Sequence, residues 1–388
     1  MTPAARIQSS IEILDTILSG MATEQALTRW ARAHRFAGSK DRAAIRDLVF
    51  STIRCRNSFA FLGGGFSGRS LMIGSIVAEN ADLSDVFNGV GYGPSVLTEA
   101  EHLAVKSTED LPQLESVDLP DWIWEKFQED LGNAAQETAE ILRRRAPVFL
   151  RVNLKKCDRN GAINLLKGEG IEAKPHPLSE AALEVTKNPR RVALSSPYKS
   201  GFVELQDAAS QAVCDFLAVP KSGSVLDYCA GGGGKSLAMA AKTDATIYAY
   251  DANSHRLSDL PERAERASIQ LEILENIPDN SKFDLVFCDV PCSGSGSWRR
   301  SPDGKWNLTK TGLDDLTGVQ LEILQSASVL VQENGELAYA TCSLFDCENS
   351  ALVKDFLSKN PEWSLISERR FGPAQGGDGF YVARMTRV

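Results

Sequence analysis

VLDYCAGGGGKS, residues Val225 to Ser236, reads as a short strand, a glycine loop and the opening turn of a helix. Val225 and Leu226 are apolar, Asp227 ends the strand, four glycines follow, and Lys235 and Ser236 begin a run with helical spacing. Four consecutive glycines cost conformational entropy that a purely structural turn would not need. They let the backbone approach a ligand closely, and the N–H groups of the helix start favour a negative group there.

Three ligands suit such a loop: a nucleoside triphosphate, a dinucleotide and S-adenosylmethionine. A triphosphate loop needs glycine five positions before the Gly of GKS, and that position is Cys229. The dinucleotide fingerprint, set on Gly231 and Gly233, needs glycine at 236, which is Ser236. What remains is an acid at a strand end and a glycine turn. A second acid, Asp251, ends the next strand, where a carboxylate can hold ribose hydroxyls. An aminoacyl-adenosyl ligand fits this set, with Asp227 near its charged end.

Downstream, strands are expected at 224–227, 246–251, 271–274, 283–289, 336–340 and 379–385. Helices are expected at 235–241, 257–267, 316–331 and 349–360. Such alternation predicts an α/β fold, a doubly wound and mostly parallel sheet with ligands at the carboxyl ends of the strands. Two strands end in cysteine loops. FDLVFCDVPCSGSGSWRRSPDGKW carries Asp289 and Cys292, and GELAYATCSLFDCEN carries Cys342. If the glycine-loop strand is the first of the sheet, these are the fourth and fifth, so an Asp and two Cys converge on one crevice. Cys288 lies inside the apolar strand and reads as core, and Cys347 as incidental. The spacing of Cys288, Cys292, Cys342 and Cys347 only loosely suits zinc, so no metal is expected.

Pyrimidine chemistry gives that set a purpose. Carbon 5 of cytosine is a poor nucleophile, but a thiolate added at carbon 6 turns it into an enamine-like carbon that attacks a methyl sulfonium. A carboxyl group at the N3 edge, a role open to Asp289, would stabilise the adduct.

Upstream, the texture differs. Residues 1–117 read as a helical domain: Ile7, Ile11, Leu14, Ile17 and Leu18 keep helical spacing up to Gly20, and Thr23 and Ser39 suit helix caps. An acidic stretch from Thr108 to Pro120 reads as a linker. Residues 118–204 read as a small α+β module, and 205–388 as the catalytic domain. The chain has 388 residues, 43% of them hydrophobic, and a formal charge of −9. Residues 1–70 carry ten basic and five acidic side chains, a local excess compatible with nucleic acid or with a solvated helical surface. The cluster Arg143, Arg144, Arg145, Arg151, Lys155, Lys156 and Arg159 fits an exposed helix end or phosphate contacts. No apolar run approaches the roughly 18 residues of a membrane span, and no secretory signature opens the chain. A cytoplasmic protein with reduced thiols is expected, without membrane association and as a monomer.

DYCAGGGGKS, DVPCSGSGSWRRSPDGKW and YATCSLFDCEN together resemble the RNA cytosine-5 methyltransferases of the Sun/RsmB type, which act on bacterial ribosomal RNA. GFVELQDAAS, GGDGFYVARM, LRVN and DWIWEKFQEDLG resemble flanking motifs of that family and its small RNA-binding module. The N-terminal helices resemble the helical RNA-binding domain of transcription antitermination factors. The resemblance covers nearly the whole chain. It implies an S-adenosylmethionine-dependent methyltransferase fold and a small-subunit ribosomal RNA substrate with an unpaired target cytosine, transfer RNA being the alternative. It implies Cys342 as nucleophile, Cys292 in release of the methylated base, and Asp289 at the base and methyl donor. The cofactor would be held by Asp227, Cys229, Ala230, Gly231, Gly232, Gly233, Gly234, Lys235, Asp251 and Asp289. Arg299, Arg300 and Lys305 would contact RNA, although solvated loop charge reads almost as well. The family usually has CAAPGGK where this chain has Gly231 and Gly232, and its adenine-reading acid falls at Glu275 or Asn276. Competing readings are a DNA cytosine-5 methyltransferase, in which the Pro-Cys cysteine attacks, a P-loop ATPase, and a non-catalytic RNA-binding ribosome-assembly factor.

Overall fold

The computed structural model describes residues 1–387. They form two compact units. One comprises Met1–Arg145 together with Trp298–Asn307, and the other runs from Ala146 to Ser297 and from Leu308 onward.

The second unit contains two sheets. The smaller joins β1 (Val148–Val152), β2 (Glu172–Pro175), β3 (Ala182–Lys187) and β4 (Val203–Leu205) in the order β2-β3-β1-β4, all antiparallel. Its helix, Arg159–Gly168, is capped by Asp158, whose carboxylate accepts the Gly161 N–H at 2.7 Å. The larger sheet joins β5 (Ser224–Asp227), β6 (Thr246–Tyr250), β7 (Glu272–Leu274), β8 (Phe283–Asp289), β9 (Val331–Thr341), β10 (Trp363–Phe371) and β11 (Phe380–Arg387). Its order is β10-β11-β9-β8-β5-β6-β7. Strands β5 to β9 pair in parallel, and β11 and β10 add antiparallel. The chain leaves β5 toward β6 and returns to the other side at β8, so strand order reverses at β5. The crevice outside the carboxyl ends there is where such sheets take ligands.

Strand β8 shows why the sequence was readable. Leu285 and Phe287 pack into the core on one face of the sheet, Val286 and Cys288 into the core on the other, and all four are buried. Burial on both faces requires the unbroken apolar run LVFC, Leu285 to Cys288. The core assignment of Cys288 follows from this register.

Two strands were not expected. β10, WSLISERRF, is an edge strand exposed over most of its length, and β2, EAKP, is an exposed edge that ends in proline. Neither needs apolar alternation, so neither shows it.

The first unit packs the helices Pro3–Leu18, Thr23–Ala33, Ser39–Arg54, Arg56–Gly63 and Gly68–Ala78 around Ile7, Leu14, Leu27, Trp30, Val49 and Ile73. Thr23 and Ser39 are not N-caps but first helical residues. Ala22 and Gly38 precede them, without a side-chain cap. The hydroxyl of Thr23 donates instead to Asp303 at 2.6 Å. The expected linker is partly structural. Val117, Asp118 and Leu119 are fully buried. Asp118 accepts from Ser58 N–H at 2.9 Å and pairs with Arg143 at 2.7 Å. The helices from Asp121 to Leu142 group with this unit, whose first segment ends at Arg145.

Candidate active site

β5 delivers Asp227 to the sheet crevice, where the carboxylate is 1% exposed. One oxygen accepts the Ser236 hydroxyl at 2.6 Å, and the other, Oδ1, has no partner. A buried carboxylate oxygen without a donor is expensive unless a ligand supplies one. Burial pushes this carboxyl up to about 7, with the Ser236 hydrogen bond opposing the rise and the Asp289 charge adding to it.

The glycine loop turns between β5 and the helix Gly234–Ala240. Gly231 and Gly233 have φ of 52° and 72°, the left-handed region that glycine enters without strain. A Cβ on Gly233 would lie 2.2 Å from Leu260 Cδ1. Asp251, 6% exposed and just beyond β6, accepts the Gly231 N–H at 2.8 Å and the Asn253 N–H at 3.0 Å. Arg256 pairs with the same carboxylate at 3.1 Å. Asp251 therefore fixes the loop as well as facing the crevice. The donor set fits an aminoacyl-adenosyl ligand: an unpartnered carboxylate oxygen, a close-approach backbone and a second carboxylate at the neighbouring strand end.

Lys235, at the helix start, reaches Asp289 at the end of β8, Nζ to Oδ2 2.5 Å. Burial lowers the pKa of this ammonium, but the charge and hydrogen bond of Asp289, with smaller contributions from Cys214 and Cys342, together raise it overall, so Lys235 stays protonated. Asp289 is thereby oriented by the glycine loop itself.

The two cysteine loops meet. Cys292 Sγ and Cys342 Sγ lie 3.4 Å apart, both thiols free. A disulfide bond is near 2.05 Å, so this is a thiol pair. The contact with Cys342, and then burial, hold the Cys292 thiol well above the usual range.

Glu348 joins the two loops, and the sequence reading did not single it out. Its carboxylate is fully buried and accepts Ser293 N–H at 2.8 Å, the Ser293 and Ser343 hydroxyls, and Gln320 Nε2 at 2.9 Å. Ser293 follows Cys292 and Ser343 follows Cys342, so one carboxylate sets the register of both thiols. Gly296 N–H donates to the Cys342 carbonyl at 2.9 Å, and Ser295 Oγ accepts Leu344 N–H at 2.7 Å. In SLFDCEN nothing local distinguishes Glu348 from Asp346, two residues before it. The available signal was the run of small hydroxyl residues in both loops, which need a shared acceptor when buried.

Comparison with known proteins covers both sheets. Residues 215–386 match the family described as 16S rRNA methyltransferase RsmB/F, and residues 119–192 match the ferredoxin-like domain of RsmF/B-like methyltransferases. The chain belongs to the RsmB/F family. Ribosomal RNA small subunit methyltransferase B of Salmonella arizonae is 31% identical over 284 residues, 69% of this chain and 66% of the relative. The match thus spans just under two thirds of that relative's length. The crystal structure of PH0851 has a TM-score of 0.77 at 21% identity, covering 100% of this chain and 99% of the other. NSun6 from Pyrococcus horikoshii, solved with SFG, has a TM-score of 0.61 at 18% identity, covering 69% and 98%. Both share the methyltransferase fold.

Within this family member, the expected RNA contacts need correction. Lys305 is fully buried, and its ammonium donates to the carbonyls of Arg54 at 2.7 Å and Asp118 at 2.6 Å. Arg299 is 3% exposed, and its carbonyl accepts Arg54 Nε at 2.7 Å. These side chains are built into the first unit, where Trp298 stacks on Phe127 at 6.1 Å and Trp306 Nε1 donates to Ile53 O at 2.7 Å. They cannot reach a phosphate, whereas Arg300 is only partly buried. The basic cluster of the small module is likewise largely committed. Buried Arg151 donates to Gln206 and to the Gly234 carbonyl at 2.6 Å, and Lys155 and Lys156 donate to Ala240 O and Arg266 O. Arg151 thus braces the glycine loop from β1. Cys229 and Ala230 lie in the loop, partly buried, and the Ala230 N–H donates to Tyr250 O at 2.9 Å. Glu275 and Asn276 follow β7, both exposed. Among the described residues no His, Cys, Asp and Glu group could hold a metal, and no helix is long and apolar enough to cross a membrane.

Proposed function

We propose that this protein transfers a methyl group from S-adenosylmethionine to carbon 5 of a cytosine in small-subunit ribosomal RNA, in the cytoplasm, through a covalent bond to Cys342. The observation that carries the reading is the pair of free thiols, 3.4 Å apart, at the ends of adjacent parallel strands beside the glycine loop.

The cofactor supplies an electrophilic methyl group when bound. Asp227 Oδ1 would accept from its amino end, and Asp251 and the glycine-loop N–H groups would hold its nucleoside part. The solution of NSun6 with SFG, an S-adenosylmethionine analogue, supports a cofactor of this class. Cys342 Sγ, as thiolate, forms a bond to carbon 6 of the cytosine. Asp289, paired with the Lys235 ammonium, would accept from the amino group beside N3 and orient the ring, and the ammonium would offset the negative charge that builds as the thiolate adds. Carbon 5 takes the methyl group and still carries its proton. A base removes that proton, the carbon 5–carbon 6 double bond re-forms, and the bond from carbon 6 to Cys342 breaks to return the thiolate. Cys292, whose thiol lies against Cys342, assists that release. Thiol and methyl donor must address the ring from different sides, so the target cytosine is unpaired or flipped out.

The test is direct. With labelled S-adenosylmethionine and 16S rRNA lacking the modification, the label should appear in 5-methylcytosine after nucleoside digestion. Label in another nucleoside, or equal labelling of DNA, overturns the reading.

The raised carboxyl of Asp227 sets a pH dependence. It is charged above about 7 and neutral below. Attraction for a cationic amino end is therefore present at high pH and lost as pH falls through about 7. Calorimetry between pH 6 and 8 should show affinity for S-adenosylmethionine falling on acidification, and Asp227→Asn should flatten the profile and weaken binding by about 1–3 kcal/mol. A profile unchanged in the variant contradicts the assignment.

A further inference from the structure

In the first unit, an aromatic ladder leads out of the core into water. Trp30, 7% exposed, stacks on His34 with ring centroids 4.6 Å apart and planes 14° apart. His34 meets Phe36 edge-on at 5.7 Å and 79°, and Phe36 is 75% exposed. Arg29 and Arg32, on the helix Thr23–Ala33, and Arg35 and Lys40 beyond it are all exposed. None of the four has an ion-pair partner among the described residues. The nearby acids are already engaged, Glu24 with Arg46, and Asp41 with Arg6 and the N-terminal amine.

A phenyl ring held in solvent by a stacked histidine, among four unpaired cations, suits one polymer best. Single-stranded RNA offers a base face for the ring and phosphates for the guanidinium groups, and neither contact requires a particular base. A protein partner would need compensating acids and a wider apolar area, and one exposed ring among four cations does not supply that. We propose that Arg29, Arg32, Arg35, Phe36 and Lys40 form a single-stranded RNA contact, with Phe36 as the stacking platform. This rests on the reading of the substrate as RNA.

The probe is 16S rRNA lacking the modification, bound by the full-length protein over a salt series, with methylation followed in the same preparations. Phe36→Ala should weaken binding about 5- to 150-fold with the salt dependence unchanged. Phe36→Trp should bind like the wild type or tighter, which separates stacking from a folding defect. The double variant Arg32→Gln, Arg35→Gln should lower the slope of log affinity against log salt by roughly 1.4, about 0.7 per contact. S-adenosylmethionine affinity should stay unchanged in all of them. If the wild type binds and methylates and all variants match it, this surface is wrong and the proposed function stands. The same holds if the face captures a protein while RNA affinity is unchanged. If the wild type neither binds nor methylates RNA, the substrate reading falls and this surface with it.

Discussion

Cys342→Ala is expected to lose methyl transfer by roughly 10⁴-fold or more while still binding RNA and S-adenosylmethionine. On the proposed route the thiol adds to carbon 6 in the first bond-forming step, and without it carbon 5 has no route to becoming a nucleophile. The substitution removes one sulfur from a partly buried position, and the backbone bond from Gly296 N–H to the Cys342 carbonyl does not depend on the side chain. Fold and ligand sites should therefore persist. Incorporation of labelled methyl measures the loss, and filter binding measures what is retained. Activity within tenfold of the wild type would mean that another group attacks.

Glu348→Ala should destabilise the catalytic unit by roughly 3–5 kcal/mol and uncouple the two thiols. The buried carboxylate accepts four donors: the Ser293 N–H and hydroxyl, the Ser343 hydroxyl and the Gln320 amide. Alanine removes the acceptor that all four share, while Gln320 Nε2 keeps its bond to Pro291 O at 2.9 Å and the hydroxyls of Ser293, Ser295 and Ser343 keep their contacts with one another. Tyr339, whose hydroxyl donates to the Glu348 carbonyl at 2.6 Å, keeps its bond, so the strand should remain while the loops loosen. Glu348→Gln should cost less, because the amide oxygen still accepts. Its NH₂, however, faces donors on every side. Urea denaturation reads the stability, and methylation under conditions where each variant is folded reads the loops. An alanine variant as stable and as active as the wild type would show that the network does not position the thiols.

Particular residues show what was legible from sequence. β5, β8 and β9 had to be apolar runs ending in Asp227, Asp289 and Thr341, because strands covered on both faces admit little else before the chain turns into the crevice. The glycine loop was legible because its φ values exclude most other residues. The edge strand β10 was not, since exposure frees its pattern. Charges misled in one consistent way. Lys305, Arg299 and Arg151 in basic runs read as RNA or phosphate contacts or as solvated charge, and Glu348 gave no reading at all. Each is instead buried, where Lys305, Arg151 and Glu348 meet carbonyl oxygens or hydroxyls brought in from distant parts of the chain. Such partners have no local sequence signature. Asp251 was read as a ribose ligand, but its bond to the Gly231 N–H gives it a second duty that sequence spacing alone does not reveal.

The most direct test of covalent catalysis by Cys342 is a denaturing gel of Cys292→Ala incubated with S-adenosylmethionine and target RNA. Release can fail only after attack has occurred, so this variant should form the bond to carbon 6, methylate, and remain linked to its product. A protein–RNA band should survive denaturation, and it should vanish when Cys342→Ala is added to the same chain. A stable band from Cys342→Ala alone would contradict the account, because it would make Cys292 the nucleophile.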